Sequence, residues 1–244
     1  MTLLAAAIDD GGSGGDPLFT SKCYDAFRND WFCWQYVADR RQELVDATAQ
    51  HVQITLLSVA LGLLIAFPVA LLARRSARME SAALGVATGI YTIPSLALFP
   101  LLVPFTGLSL STVVIGLALY ALTVLVRAIV DGLRAVPDDV RESAVGLGYG
   151  PMRLLLRVEL PLALPTIVAG VRVATVSTVA LTTVGSLVAY GGLGNLIRDG
   201  VRTNFRAELV SAAVLCVVIA VLFDIVLVLV QRWLTPWARK GAAT

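Results

Sequence analysis

Apolar residues run along most of this chain in long blocks, without the alternation of a half-buried strand. Five blocks reach the roughly 20 residues that a helix needs to cross the hydrocarbon core of a bilayer. They are Val52–Ala73, Ala82–Pro104, Leu110–Val130, Ile167–Val188 and Leu209–Val230, all built mainly of Leu, Val, Ile and Ala and bounded by charges, Gly or Pro. The fourth could open earlier, near Leu162. The later start is preferred because it sets Arg172 near an interface, where a long basic side chain reaches the headgroups. The pattern predicts an all-α, polytopic membrane protein with about five transmembrane helices. Ahead of the first block, Trp34, Val37, Arg41, Leu44, Val45 and Thr48 recur at helical spacing. They predict an interfacial helix leading into the first span, with Trp31, Phe32, Trp34 and Tyr36 at headgroup level.

Composition agrees. The chain is 57% hydrophobic and 15% charged, with a mean hydropathy of +0.82, whereas soluble domains carry about 25% charged residues. "MTLLAAAIDD" lacks the basic start of a cleaved signal, and "GGSGGDP", residues 11–17, reads as a flexible linker. The expected organisation is a tail over residues 1–50, a transmembrane domain over 51–234 containing a loop at 137–162, and a short tail over 235–244.

Five spans put the termini on opposite sides. Segments after spans one, three and five hold Arg74, Arg75, Arg78, Arg134, Arg141, Arg153, Arg157, Arg232, Arg239 and Lys240. The other side holds Lys22, Arg28, Arg40, Arg41, Arg198, Arg202 and Arg206, and its tail carries eight acids. Basic residues favour the cytoplasmic side, so the N-terminus is expected outside and the C-terminus inside. Cys23 and Cys33 then lie in the outer tail. An exported pair can form a disulfide; the other reading is two free thiols in a poorly ordered tail.

The side-chain inventory narrows the chemistry. The only lysines are Lys22 and Lys240, and neither ends a Gly-Lys-Ser/Thr phosphate loop. His51 is the single histidine, too little for a zinc site or for a nucleophile, base and orienter. No catalytic centre and no metal are expected, and the net charge of +2, spread over loops, does not suggest nucleic acid. A secondary transporter would need repeated halves and intramembrane charges, and no internal repeat is visible. Three intramembrane charges stand out: Arg127, Arg172 and Asp224. Asp224 is expected to face the bundle and pair with Arg127 or Arg172, either fixing helix packing or lining a pathway.

The segment "RESAVGLGYGPMRLLLRVELPLALP", Arg141 to Pro165, carries the densest local signals. Pro137 suits a first helical position, and Asp138 and Asp139 favour a helix N-terminus. A short helix through Arg141, Glu142, Ala144 and Val145 should end at Gly146, Gly148 and Gly150, since glycine takes left-handed angles cheaply. Pro151 should restart a helix that Pro161 interrupts. Small Ser143 and Ala144 would let another surface come close. Local physics alone fits a plain linker equally well.

The spacing Glu142-Ser143-Ala144, three residues, Gly148, nine residues, Val158, one residue, Leu160-Pro161 resembles the coupling loop of ATP-binding cassette importer permeases. Ser143 and Val158 are its two small departures. The resemblance implies the type I importer permease fold, with a cytoplasmic coupling helix docking into a separate ATPase. Glu142 would make a polar contact and Gly148 the turn. It also implies a second permease subunit, identical or paralogous, two ATPase subunits that hold the ATP and Mg, and an extracytoplasmic binding protein. Because the chain stops at Thr244, that protein is expected to be a separate polypeptide. No cofactor is expected on this chain.

"YTIPSLALFPLLVPFTGL", Tyr91 to Leu108, resembles the second span of glycine betaine, carnitine and choline permeases. "GSLVAYGGLGNLIRDG", Gly185 to Gly200, is similar to their outer loop and to that of methionine-type permeases. The resemblance therefore implies a permease for glycine betaine or a related osmoprotectant, with an amino acid such as methionine as the alternative. Pro94, Pro100 and Pro104 would free backbone carbonyls that survive in a membrane only against protein or water. That makes Tyr91, Pro94, Ser95 and Pro100 candidate pathway residues, or else parts of a kinked packing helix. Gly191, Gly192 and Gly194 would form a half-helix near the outer gate, or a flexible turn. Tyr91, Phe99, Phe105, Tyr120 and Tyr190 show no cluster in sequence.

Overall fold

The computed structural model of the chain describes residues 22–24 and 29–237; the predicted 11–17 linker, Arg28, Arg239 and Lys240 lie outside them. Among the described residues the protein is helical throughout, with no strand. The elements are α1 (Trp34–Asp39), α2 (Arg41–Ala73), α3 (Ala77–Thr92), α4 (Ser95–Thr106), α5 (Leu110–Arg134), α6 (Asp138–Gly146), α7 (Pro151–Leu154), α8 (Leu160–Thr182), α9 (Leu193–Arg202) and α10 (Arg206–Leu234). A π-turn over Leu155–Glu159 joins α7 to α8, and a 3-10 turn over Thr183–Val188 extends α8. Four helical stretches, α2, Pro151–Val188, α5 and α10, are long and apolar enough to cross a membrane, and the pair α3–α4 makes a fifth if counted as one bent span.

Helix α5 is the centre of the bundle. Val113, Leu117, Ala121, Leu125, Val126 and Ile129 along its length are buried, and α2 and α8 pack on two of its sides. In lipid there is no hydrophobic force between helices, so contact rests on close van der Waals fit through small residues. Gly62 of α2 faces Ala121 and Leu125, while Gly132 of α5 faces the Ala163 carbonyl and Thr166 of α8. Ala66, Ala70 and Ala73 of α2 complete that core. A polar seam runs between α2 and α8 nearer the N-terminal end. There Thr55, Ser58, Thr175, Thr178 and Thr182 are buried, and each hydroxyl donates to a carbonyl four residues back in its own helix. Such bonds satisfy a hydroxyl without needing water.

Several expectations are corrected. The interfacial helix is only α1, six residues long, and a break at Arg40 separates it from α2. Helix α2 starts at Arg41, not Val52, and its 33 residues span roughly 50 Å at 1.5 Å per residue, longer than a bilayer core. The predicted second span, Ala82–Pro104, is two helices meeting at 98°. Pro94 is the cause. It has no N–H to donate back, and it pushes Ile93 into extended backbone at φ −68°, ψ 124°. Pro100 and Pro104 sit inside α4 without ending it.

The fourth span also differs. Pro161 does not interrupt its helix, because the π-turn lies directly ahead of it. There the Leu160 N–H reaches the Leu155 carbonyl, one residue further than in an α-helix. The looser ring makes room for the proline that follows. The helix therefore runs from Pro151, and Arg172 lies in the middle of the stretch Pro151–Val188, not near one end of a shorter span.

Gly170 of α8 marks the tightest α5–α8 approach, since an added Cβ would overlap the Ala128 Cβ. Gly170→Ala is expected to lower stability by about 1–3 kcal/mol, read by thermal unfolding in detergent. Adding Ala128→Gly should restore most of that loss.

Candidate functional site

The loop after α5 folds as the spacing predicts, with one shift: Pro137 is the N-cap and α6 begins at Asp138. Gly148 ends α6 in the left-handed region at φ +83°. The Gly148 N–H donates to the Val145 carbonyl at 2.9 Å and the Tyr149 N–H to the Ala144 carbonyl at 3.1 Å. These two bonds form a Schellman cap, so glycine at 148 is a backbone requirement. Pro151 opens α7 at its first turn.

Glu142 and Ser143 are exposed on α6, whereas Ala144 is buried against the chain itself. Of the small pair, only Ser143 offers an outer surface for close approach. Val158, Leu160 and Pro161 are half-buried behind the loop. Val145, Leu147 and Met152 are 56%, 78% and 67% exposed, a cluster of apolar side chains beyond the span ends that suits a protein interface.

Nothing in the sequence marks Glu159. It fills the unspecified position between Val158 and Leu160, and only the fold gives it meaning. Its side chain is 3% exposed. Arg74, capping α2, donates to it twice, Nη1 to Oε2 at 2.5 Å and Nη2 to Oε1 at 3.2 Å. Arg141 of α6 places Nε 3.2 Å from Oε1. The same guanidinium donates to the Leu133 carbonyl in the last turn of α5 at 2.6 Å and to Asp138 at 2.8 Å. Beside this cluster Arg134 of α5 pairs with Glu80 of α3. A cavity of about 370 Å³ lies among these charges.

The charges within the spans sort differently. Asp224 of α10 pairs with Arg172 of α8, accepting from Nη2 at 2.8 Å and from Nε at 3.1 Å. Gln231 sits 3.5 Å from Arg172 Nη1 and also donates to the Pro165 carbonyl at 3.1 Å. The pair borders a cavity of about 560 Å³ with Ser177 and Val173. Arg127 takes no part. It is exposed on α5, four residues before the exposed Asp131, and has no ion pair among the described residues. Both line a second cavity of about 640 Å³ with Tyr91, Thr123 and Thr166, which shares Ala169 and Val173 with the first. Tyr91 and Tyr120, scattered in sequence, meet edge to face at 5.6 Å. Tyr120 donates to the Ile93 carbonyl, one of those left at the Pro94 break, and Thr123 donates to the Ala87 carbonyl at 2.6 Å. Ser95 opens α4 directly after that break. Phe99 is buried against Gly116, while Phe105 is exposed.

At the opposite end the Gly-rich stretch is a packed half-helix, not a flexible turn. Gly192 caps α9 at φ +55° with its Cα side against the His51 backbone, and Gly191 and Gly194 leave no room for a Cβ beside Ser186 and Thr183. The Gln50 side chain accepts from the Gly192 N–H at 3.1 Å.

This architecture has known counterparts. The family described as "Binding-protein-dependent transport system inner membrane component" matches residues 58–240. The chain belongs to that family. It is 32% identical over 202 residues to the choline transport system permease protein OpuBB of Bacillus subtilis, covering 83% of this chain and 93% of that one. It is 30% identical over 199 residues to the glycine betaine/carnitine/choline transport system permease protein OpuCB of the same organism, covering 82% and 92%. Its fold matches the permease of the methionine transporter MetNI in an inward-facing conformation, with a TM-score of 0.75 at 22% identity over 81% of this chain and 98% of that one. This permease chain therefore carries the importer fold that its loop resembles.

The described part of the tail packs as a lobe on this frame. Cys23 and Cys33 form a disulfide, which selects between the two readings of the pair. Buried Tyr36 meets Phe205 edge to face at 5.2 Å, and Asn29 accepts from the Arg206 N–H at 3.0 Å, capping α10 from outside. Trp31, Phe32 and Trp34 remain exposed. Asp39 is clasped by the Tyr24 hydroxyl at 2.7 Å and Lys22 Nζ at 2.9 Å. The hydroxyl bond first, then the ammonium, hold its carboxyl below the usual aspartate range. A depressed value stabilises the lobe above the ordinary aspartate pKa of about 3.9, and that contribution is lost as pH falls through the lowered one. Amide exchange across residues 33–40, corrected for its intrinsic pH dependence, should stay slow at neutral pH and rise in acid. Asp39→Asn should abolish that transition.

Proposed function

We propose that this permease imports glycine betaine or a related quaternary-ammonium osmoprotectant across a bacterial inner membrane. Its similarity to choline and glycine betaine permeases over more than four fifths of its length carries the reading. The likeness to the methionine transporter supports the fold, and methionine remains the alternative cargo. Two permease subunits, identical or paralogous, would join two ATPase subunits and a binding protein. The N-terminal lobe would lie outside, and the loop at 137–162 and the C-terminus in the cytoplasm.

The geometry supports each role. Charges such as Arg127 and Asp131 are costly against lipid tails, so the face they share with Tyr91 and Thr123 belongs against a second subunit or a water-filled path. Aromatic rings there offer a quaternary ammonium a cation–π surface. Helix α6 presents Glu142, Ser143, Val145 and Leu147 beyond the membrane, where an ATPase groove would receive them. ATP binding would close the ATPases, move α6 and open the spans outward; hydrolysis would reset the inward-facing state.

Labelled glycine betaine uptake into proteoliposomes holding the permease, its ATPase and its binding protein tests the assignment. ATP-dependent accumulation is expected. Stimulation of ATP hydrolysis only by a binding protein loaded with another solute would remove the osmoprotectant. Proline cannot take φ +83° at position 148. Gly148→Pro should therefore cut uptake per ATP by about tenfold or more, with membrane insertion retained.

A further inference from the structure

We propose that Glu159 is a positioning residue that locks α6 to the ends of three spans, so that they move as one body. The proposal rests on the reading of 137–162 as the loop that receives the ATPase stroke. One buried carboxylate collects the groups involved. It holds the α2 cap through two bonds from Arg74, and it draws in the first turn of α6 by ion pairing with Arg141, whose Nε lies 3.2 Å away without the alignment of a hydrogen bond. Through Arg141 it reaches the last turn of α5 at the Leu133 carbonyl. Its own backbone is the end of the π-turn that leads into α8.

The π-turn is part of the device. One extra residue in a helix turns everything before it by about 100° relative to everything after. Leu155 and Glu159, four apart across the turn, are both buried. Pro161 keeps the ladder from closing in the ordinary way, since it has no N–H to give. The helix geometry thus holds Glu159 inward toward Arg74 and Arg141.

Charge makes this joint stiff. Apolar side chains can slide past one another with little penalty, but separating a buried carboxylate from its guanidinium partners strands a charge. The forked guanidinium of Arg74 also fixes direction as well as distance. Helix α6 makes few other packed contacts with the spans: of its residues, only Ala144 is buried. A push on its outer surface passes through Arg141 to Glu159 and from there to α8 and α2.

The test compares Glu159→Gln, Arg141→Gln and the double variant with the parent complex, in the same proteoliposomes with ATPase and binding protein. Each is assayed for uptake per ATP hydrolysed and for thermal stability. Uptake per ATP should fall about tenfold in each single variant, with hydrolysis within about twofold of the parent. The double variant should be no worse than either single, as expected for one shared linkage. An unchanged ratio in assembled complexes overturns the proposal, as does a proportional fall in uptake and hydrolysis, which marks a structural staple. If Glu159→Gln does not assemble, Arg141→Gln, whose side chain is 29% exposed, decides the same ratio. Failure of both to assemble assigns the cluster to folding and also overturns the proposal. Gly148→Pro separates the layers: if it uncouples and Glu159→Gln does not, only the role of Glu159 fails. If Gly148→Pro leaves the ratio intact, the coupling reading itself fails.

Discussion

The close approach of α5 to α2 and α8 is the constraint on which the rest of the structure depends. Helices in lipid gain no stability from hiding apolar surface from water, so they associate only where side chains let backbones come near. Gly62, Gly132 and Gly170, with the alanines of α2, provide that along α5. With these spacings set, the remaining elements find places around a fixed frame. Helices α3 and α4 lean on α5 through Ala87, Phe99 and the bonds from Tyr120 and Thr123. Helix α10, with few buried residues, is held to α8 by the Arg172–Asp224 pair and to the lobe by Asn29.

Proline shows how the frame decides local outcomes. Pro94 breaks its span by 98°, while Pro68, Pro100, Pro104 and Pro165 lie inside continuous helices and Pro161 follows a π-turn. The ring chemistry is the same each time. What differs is the backbone around the ring: Ile93 ahead of Pro94 is extended, whereas α2, α4 and α8 stay helical through their prolines. At the Pro94 break a tyrosine from α5 supplies the donor; at Pro161 the helix widens instead. A mainly apolar hollow that also holds Tyr91, Thr123, Arg127 and Asp131 lies at the junction of α3, α5 and α8 beside the bend, and the π-turn sets a carboxylate among arginines at the far end. Both sites of interest lie beside a proline that departs from regular helix geometry.

The two ends of the molecule are built on different physics. The lobe end is secured by a disulfide, aromatic packing, caps in which side chains of one segment serve another, and an exposed Lys22–Asp39 pair. The α6 end is secured by ion pairs: Arg74 and Arg141 on Glu159, and Arg134 on Glu80. Disulfides suit an oxidising compartment and would be reduced in the cytoplasm, which is the setting the proposed outer placement gives the lobe.

Much of this was legible in the sequence. Apolar block length alone marks the spans, because the bilayer demands it. The glycine at 148 and the proline at 151 mark a helix stop and restart, because only particular backbone angles suit those residues. The loop spacing carries the family, since it fixes residue types over a short stretch. Tertiary structure alone decided the 98° bend, the continuity of α8 through Pro161, the choice of Arg172 over Arg127 as the partner of Asp224, and the meeting of Tyr91 with Tyr120. It alone gave Glu159 its partners, drawn from elements 85 and 18 residues away in the chain. Local angles and apolar length are properties of neighbouring residues and can be read in order. Which charge meets which, and which carbonyl finds a donor, depends on helices brought side by side, and no spacing along the chain encodes that distance.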